Sequence, residues 1–154
     1  MQFANYFFAS ILTYLGLLAG IILAMIAPEE QKPLKKYFIF ARKFFLMIMF
    51  IFLIVYYSRN FLHILVLTAC CTSMFYIQYN VKNLLKESMI IYSVFGILLF
   101  LSLKSTHLFV FESSFIFLYG LFTSSILEIK GKNYQKFLLN NSIFILIANI
   151  MFFL

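Results

Sequence analysis

Glu112 is the residue whose type and position most suggest chemistry, because it is the one acidic residue inside an apolar run of the chain. An ionisable side chain at such a position costs roughly 2–3 kcal/mol on insertion scales, so it usually faces other helices and has a partner. Helical spacing places Tyr119 and Thr123 on the same stripe as Glu112. This stripe predicts either a structural ion pair or a path for protons or ions.

Four further polar residues are expected near the same end of the chain's helices: Arg59, His63, Lys104 and His107. They leave three interpretations of Glu112 open. It forms a salt bridge with Lys104 or Arg59, it reaches the surface as an acid without a role, or it belongs to a functional site. In the last case the site is a proton or ion relay, or a metal held by His63, His107 and Glu112. No short ligand spacing supports the metal, and we expect no cofactor.

A second candidate lies at Glu29 and Glu30, directly after Pro28. In the simpler interpretation these acids occupy a loop, where they neighbour lysines and favour the N-terminus of the following helix. In the other interpretation they form a docking point on the cytoplasmic side, because this stretch is rigid and strongly charged.

Six apolar runs must position these residues, and a run of about 20 residues is long enough to cross a bilayer as a helix. The runs are 3–27, 37–57, 61–79, 88–103, 108–126 and 137–154. With 64% hydrophobic and 11% charged residues, the composition excludes a soluble domain. We predict one all-α integral membrane domain, a six-span helical bundle over residues 1–154. The second helix is expected to begin near Pro33 with a basic extension, because proline is favoured in a first helical turn.

The basic residues indicate how the bundle is oriented. Ten of the 12 lysines and arginines fall at three alternate connections between the runs, the distribution that the positive-inside bias produces. This predicts that both termini are non-cytoplasmic. The net charge of +7 is then explained by contacts with anionic lipid headgroups at the cytoplasmic loops rather than with nucleic acid. We expect a multi-pass protein of the cell membrane, with an organelle membrane as the alternative.

Small and polar residues predict which helices pack together, since small side chains allow close approach in lipid. Gly16 and Gly20 form a ridge in the first run, residues 68–73 are all small, and Gly120 and Ser124 share a face in the fifth run. The first, third and fifth helices are therefore expected inside, and the second and fourth outside. The thin polar face formed by Asn141, Ser142 and Asn149 predicts hydrogen bonds between helices.

The chain does not contain the residues that several classes of activity require. The chain contains no aspartate and neither a GxxxxGK[ST] nor a GxGxxG motif, so nucleotide binding is unsupported. Our leading hypothesis is a non-enzymatic structural or accessory subunit, associated with other membrane subunits or with itself. The first alternative is a small transporter or channel component that uses the Glu112 stripe. The second is an intramembrane enzyme acting on lipid through His63, His107 and Glu112.

Overall fold

The described part of the protein is entirely helical. The computed structural model describes residues 2–58, 61–81, 83–127 and 133–153, without the side chains of Lys32 and Asn133. The helices are α1 (Phe3–Ile26), α2 (Pro28–Tyr56), α3 (Phe61–Asn80), α4 (Leu84–Leu101) with a 3-10 turn (Ser102–Lys104), α5 (Thr106–Ser125), α6 (Asn133–Asn141) and α7 (Ile143–Phe153). These ranges contain no strand, and the all-α prediction is confirmed.

Within the described ranges, six segments are long and apolar enough to cross a membrane. They are α1, Pro33–Tyr56, α3, Leu84–Lys104, α5 and Tyr134–Phe153. The protein is therefore a multi-pass membrane protein. We call the end of the bundle where Lys35, Lys43 and Lys136 lie the basic end, and the end where His63 and Lys104 lie the opposite end.

The connection between α1 and α2 is a single residue, Ala27, rather than the expected loop. Glu29 and Glu30 lie in the first turn of α2, which begins at Pro28. Proline is favoured at the first helical position, and acidic residues there interact well with the positive end of the helix dipole. The predicted basic extension of the second helix is thus confirmed, although it starts before Pro33.

The sixth run forms one membrane-spanning segment, Tyr134–Phe153, as predicted. Ser142 alone separates α6 from α7, and backbone hydrogen bonds continue through it, from the Ser142 N–H to the Leu138 carbonyl oxygen at 2.9 Å and from the Leu146 N–H to the Ser142 carbonyl oxygen at 3.3 Å. The predicted hydrogen bonds between helices are confirmed for Asn141, which donates to Ser88 on α4 at 3.2 Å, and for Asn149, which donates to Ser10 on α1 at 3.4 Å. The Ser142 hydroxyl instead donates to the Leu139 carbonyl oxygen in the preceding turn at 2.7 Å.

The tightest helix pair is α1 with α5. Gly16 lies against the backbone of Phe117, and Gly20 lies against the backbone of Leu121, so that neither position has room for a Cβ atom. On the other side of the same interface, Gly120 lies against the backbone of α1. The glycine ridge of α1 is therefore used inside the molecule.

The predicted places of the third and fourth helices are exchanged. In α3 only Leu67, Met74 and Gln78 are buried, whereas α4 buries large side chains such as Tyr92 and Phe95. The hydroxyl groups in the small-residue segment of α3 donate to carbonyl oxygens of α3 itself, so they require no neighbouring helix. Small residues permit close packing but do not enforce it.

Candidate functional site

Glu112 lies in the interior of the bundle, on the buried face of α5, with an exposed fraction of 0%. Neither carboxylate oxygen has a hydrogen-bond partner within the described part of the chain. The expected salt bridge to Lys104 is not formed, and Arg59 lies outside the described residues. Full burial also rules out an acid that reaches the surface. The geometry therefore leaves two of the three interpretations, a functional role and a salt bridge to Arg59.

The residues at the opposite end form a separate group around Tyr57. Its ring stacks on His63, with centroids 5.4 Å apart and planes 5° apart, and the Lys104 Nζ lies 6.0 Å from the Tyr57 centroid. The Tyr57 hydroxyl donates to the carbonyl oxygen of Leu101 at 3.0 Å. These side chains line a mainly apolar cavity of about 270 Å³.

Tyr57 also connects this group to Glu112. Burial raises the pKa of the Tyr57 phenol, and the charges of Tyr56 and Glu112 raise that pKa further. Glu112 therefore lies within electrostatic reach of the cavity. His107 is exposed in the first turn of α5, and across the described ranges no three histidine, cysteine or acidic side chains come close enough to hold a metal ion. The three-residue metal site is not assembled.

The polar stripe continues from Glu112 towards the basic end. Tyr119 and Thr123 are buried on the same face of α5, and Tyr119 lies about 10 Å from Glu112 along the helix axis. The side-chain amide of Gln78 on α3 donates to the Tyr119 hydroxyl at 3.1 Å. Ile116, which is fully buried, lies about one helical turn from both Glu112 and Tyr119. The stripe is therefore closed at Ile116 in this conformation.

A buried ion pair, which the sequence did not lead us to expect, lies beyond Tyr119. The Nη2 atom of Arg42 on α2 lies 3.0 Å from Oε1 of Glu87 on α4. The charges of both residues act on the Tyr119 hydroxyl. The available signal was a pair of opposite charges at the starts of two apolar runs, with Arg42 inside the second run and Glu87 directly before the fourth, but neither position alone indicated burial.

These groups line a large cavity at the basic end, which we call the basic vestibule. It has a volume of about 540 Å³ and opens between α2, α3, α4 and α6. The charged and amide side chains in its lining are Lys35, Arg42, Lys43, Gln78, Asn83, Glu87 and Lys136. Among the described lining residues, the cations outnumber the one carboxylate.

Comparison with protein-family models, with curated protein sequences and with solved structures finds no match to this chain. Function is therefore argued from the geometry. The site has two parts that the stripe on α5 joins, the buried Glu112 near the opposite end and the basic vestibule. Glu29 and Glu30 belong to neither part, because both are exposed at the start of α2, and their role as a docking point stays a prediction.

Proposed function

We propose that this chain is a transport or conduction component of a membrane, in which Glu112 binds and releases a proton or a small cation. The observation that supports the proposal is the complete burial of Glu112 without a hydrogen-bond partner among the described residues. A carboxyl group in that position is expensive, and an apolar side chain would stabilise the bundle more. A functional role explains why the acid is there. The proposal assigns no catalysed reaction to the chain.

The route in this proposal follows the stripe on α5. It runs from the Tyr57 cavity past Glu112 and Tyr119 to the basic vestibule. Ile116 interrupts it, so passage requires a second conformation. The helix most easily displaced is α3, because it buries few residues. The hydrogen bond from the Gln78 side chain to Tyr119 would break when α3 moves. Movement of α3 would admit water to the stripe.

The experiment is ion flux in liposomes that contain the purified protein and a trapped dye sensitive to the ion whose gradient is imposed. Under an imposed proton, sodium or potassium gradient, the wild-type protein is expected to dissipate the gradient faster than protein-free liposomes. Glu112→Gln should abolish this flux while leaving the folded yield unchanged, because the amide is nearly isosteric and cannot ionise. Ser114→Ala is the matched control, since Ser114 is exposed on the same helix and its hydroxyl donates to Val110 of its own helix.

Two outcomes contradict the proposal. The first is a wild-type protein that shows no flux above background under any of the three gradients. The second is a Glu112→Gln protein that keeps its flux but unfolds more readily, which would assign Glu112 a structural role.

We further propose that the basic end faces the cytoplasm of a cell membrane, with both termini on the other side. The concentration of lysines at the basic end supports this orientation, since basic residues are retained on the cytoplasmic side during insertion. Anionic headgroups of the cytoplasmic leaflet would then contact Lys35, Lys43 and Lys136.

A second candidate function is an accessory subunit, and the exposure of α3 favours it. Ala69 and Thr72 are both exposed on this helix, and small residues are typical of contacts between transmembrane helices. The partner would be a transmembrane helix of another subunit. Purification in mild detergent should then recover a second chain, which Ala69→Leu should release and Val66→Leu, at an exposed residue that is already large, should not. Recovery of a lone monomer or a homo-oligomer alone would contradict this candidate.

A further inference from the structure

The basic vestibule has more positive charge than its own residues neutralise. Among the described lining residues Glu87 is the single acid, against Arg42, Lys43 and Lys136. Lysines at a lipid–water boundary ordinarily extend their charge into water. Here these three cations line one cavity, which favours an anion inside it.

Arg42 makes the vestibule a built site rather than a charged surface. Its exposed fraction is 4%. The ion pair with Glu87 uses Nη2, whereas Nε and Nη1 have no hydrogen-bond partner among the described residues. Buried donors without acceptors are unfavourable, and the planar guanidinium matches the oxygens of a phosphate group. The Nε and Nη1 donors of Arg42 therefore lack an acceptor, and phosphate oxygens are acceptors of the kind that they fit.

The first turn of α4 adds to the attraction. Asn83 caps this helix by accepting a hydrogen bond from the Leu85 backbone N–H at 3.0 Å, and Asn83, Leu84 and Leu85 line the vestibule. The positive end of the α4 dipole therefore lies at the wall of the cavity. Anions bind favourably at such helix ends.

We propose that the basic vestibule binds a phosphate group, with Arg42 as its buried donor and with Lys43 and Lys136 at its mouth. The phosphate belongs either to a lipid headgroup or to a soluble phosphate ester. Ile39, Val81 and Leu127 in the lining provide apolar surface beside the charged groups. A volume of about 540 Å³ accommodates a glycerophosphate unit, since ligand pockets typically measure about 300–1,000 Å³. The proposal does not depend on transport through Glu112.

The test measures binding to the full chain in a neutral detergent, with three probes used separately. They are inorganic phosphate, glycerol 3-phosphate and dihexanoyl phosphatidic acid. Wild-type protein is expected to bind at least one phosphate probe saturably. The double variant Lys43→Gln/Lys136→Gln should bind it about five- to tenfold more weakly, because each exposed charge pair contributes modestly. Both lysines are exposed, so the variant should fold.

The matched control removes two charges from the same end without changing the vestibule. Lys36 and Lys86 are exposed and do not line the cavity, so Lys36→Gln/Lys86→Gln should bind within about twofold of wild type, as distant surface charges are largely screened. Glu112→Gln should also bind normally, which separates this proposal from the transport proposal. Binding of the soluble probes identifies a soluble ester as the ligand, and binding of phosphatidic acid alone identifies a lipid. Failure of all three probes, or equal weakening by both double variants, would overturn the proposal.

Discussion

The guanidinium of Arg42 and the carboxylate of Glu87 meet 3.0 Å apart between α2 and α4, with each side chain only 5% exposed. Both residues lie near the basic end, where charged side chains usually extend towards lipid headgroups. Their burial instead joins two helices through a pair of opposite charges. Removal of either charge therefore leaves the other one uncompensated.

We expect Arg42→Met to lower the free energy of unfolding by about 3–5 kcal/mol, because it leaves the buried carboxylate without its partner. The double variant Arg42→Met/Glu87→Met should lose less than the single one, since it removes both charges together. Lys43→Met, at the exposed neighbouring position, is the control and should change stability by less than about 0.5 kcal/mol. Unfolding in mixed micelles, followed by circular dichroism, measures all three. A double variant that loses more stability than Arg42→Met alone would show that the two charges do not stabilise each other.

Substitution by alanine should destabilise the protein more at the glycines of the α1–α5 interface than at a glycine elsewhere. Gly16→Ala and Gly20→Ala each place a Cβ atom on the backbone of α5, and rigid overpacking typically costs about 1–3 kcal/mol. Gly96→Ala should cost less, because its new Cβ atom would lie 3.0 Å from the Phe144 carbonyl oxygen and 3.1 Å from the Ile147 side chain. Thermal unfolding in one detergent gives the order of the three. If Gly96→Ala were the most damaging, the close α1–α5 contact would be wrong.

Gln78 should control how firmly α3 is held. Replacing it with leucine removes the hydrogen bond to Tyr119, and such interhelical bonds contribute about 0.6 kcal/mol on average. Local opening of α3 would then increase about threefold. The reporters are the free thiols Cys70 and Cys71, which are half-buried on the same helix, and the measurement is their rate of reaction with a membrane-permeant maleimide. Asn80→Ala is the control, because the Asn80 side chain bonds to Tyr76 of its own helix. Unchanged labelling in Gln78→Leu would show that the hydrogen bond does not hold α3.

The orientation of the bundle can be tested with single exposed cysteines in a background lacking Cys70 and Cys71. With the basic end in the cytoplasm, His107→Cys should react with an impermeant maleimide in intact cells, and Lys36→Cys should react after lysis. Both positions are exposed and lie outside the candidate site. Labelling of Lys36→Cys in intact cells would reverse the orientation.

The sequence predicted the helical class and the six apolar segments, because a bilayer demands long apolar segments and their composition is visible directly. The short α1–α2 connection was missed, since Pro28 with two acids suits a helix start as well as a loop.

The candidate site was predicted only in part. Glu112 was identified from its isolation in an apolar run, and Tyr119 was identified from helical spacing, because both signals lie within one helix. Arg42, Glu87 and Gln78 come from three different helices, and their meeting depends on which helices are neighbours. Small residues suggested α3 as an inner helix, and the exchange of α3 with α4 then concealed the Arg42–Glu87 pair.

The length of α2 links the surrounding lipid to the site. Its 29 residues extend about 43 Å at 1.5 Å per residue, well beyond a hydrocarbon core of about 30 Å. The apolar part of α2, Pro33–Tyr56, has 24 residues and is about 36 Å long, and a hydrophobic stretch longer than the hydrocarbon core fits it by tilting. Because Arg42 is part of this same continuous helix, such tilting would move Arg42 relative to Glu87 on α4. We therefore expect the width of the basic vestibule to vary with bilayer thickness.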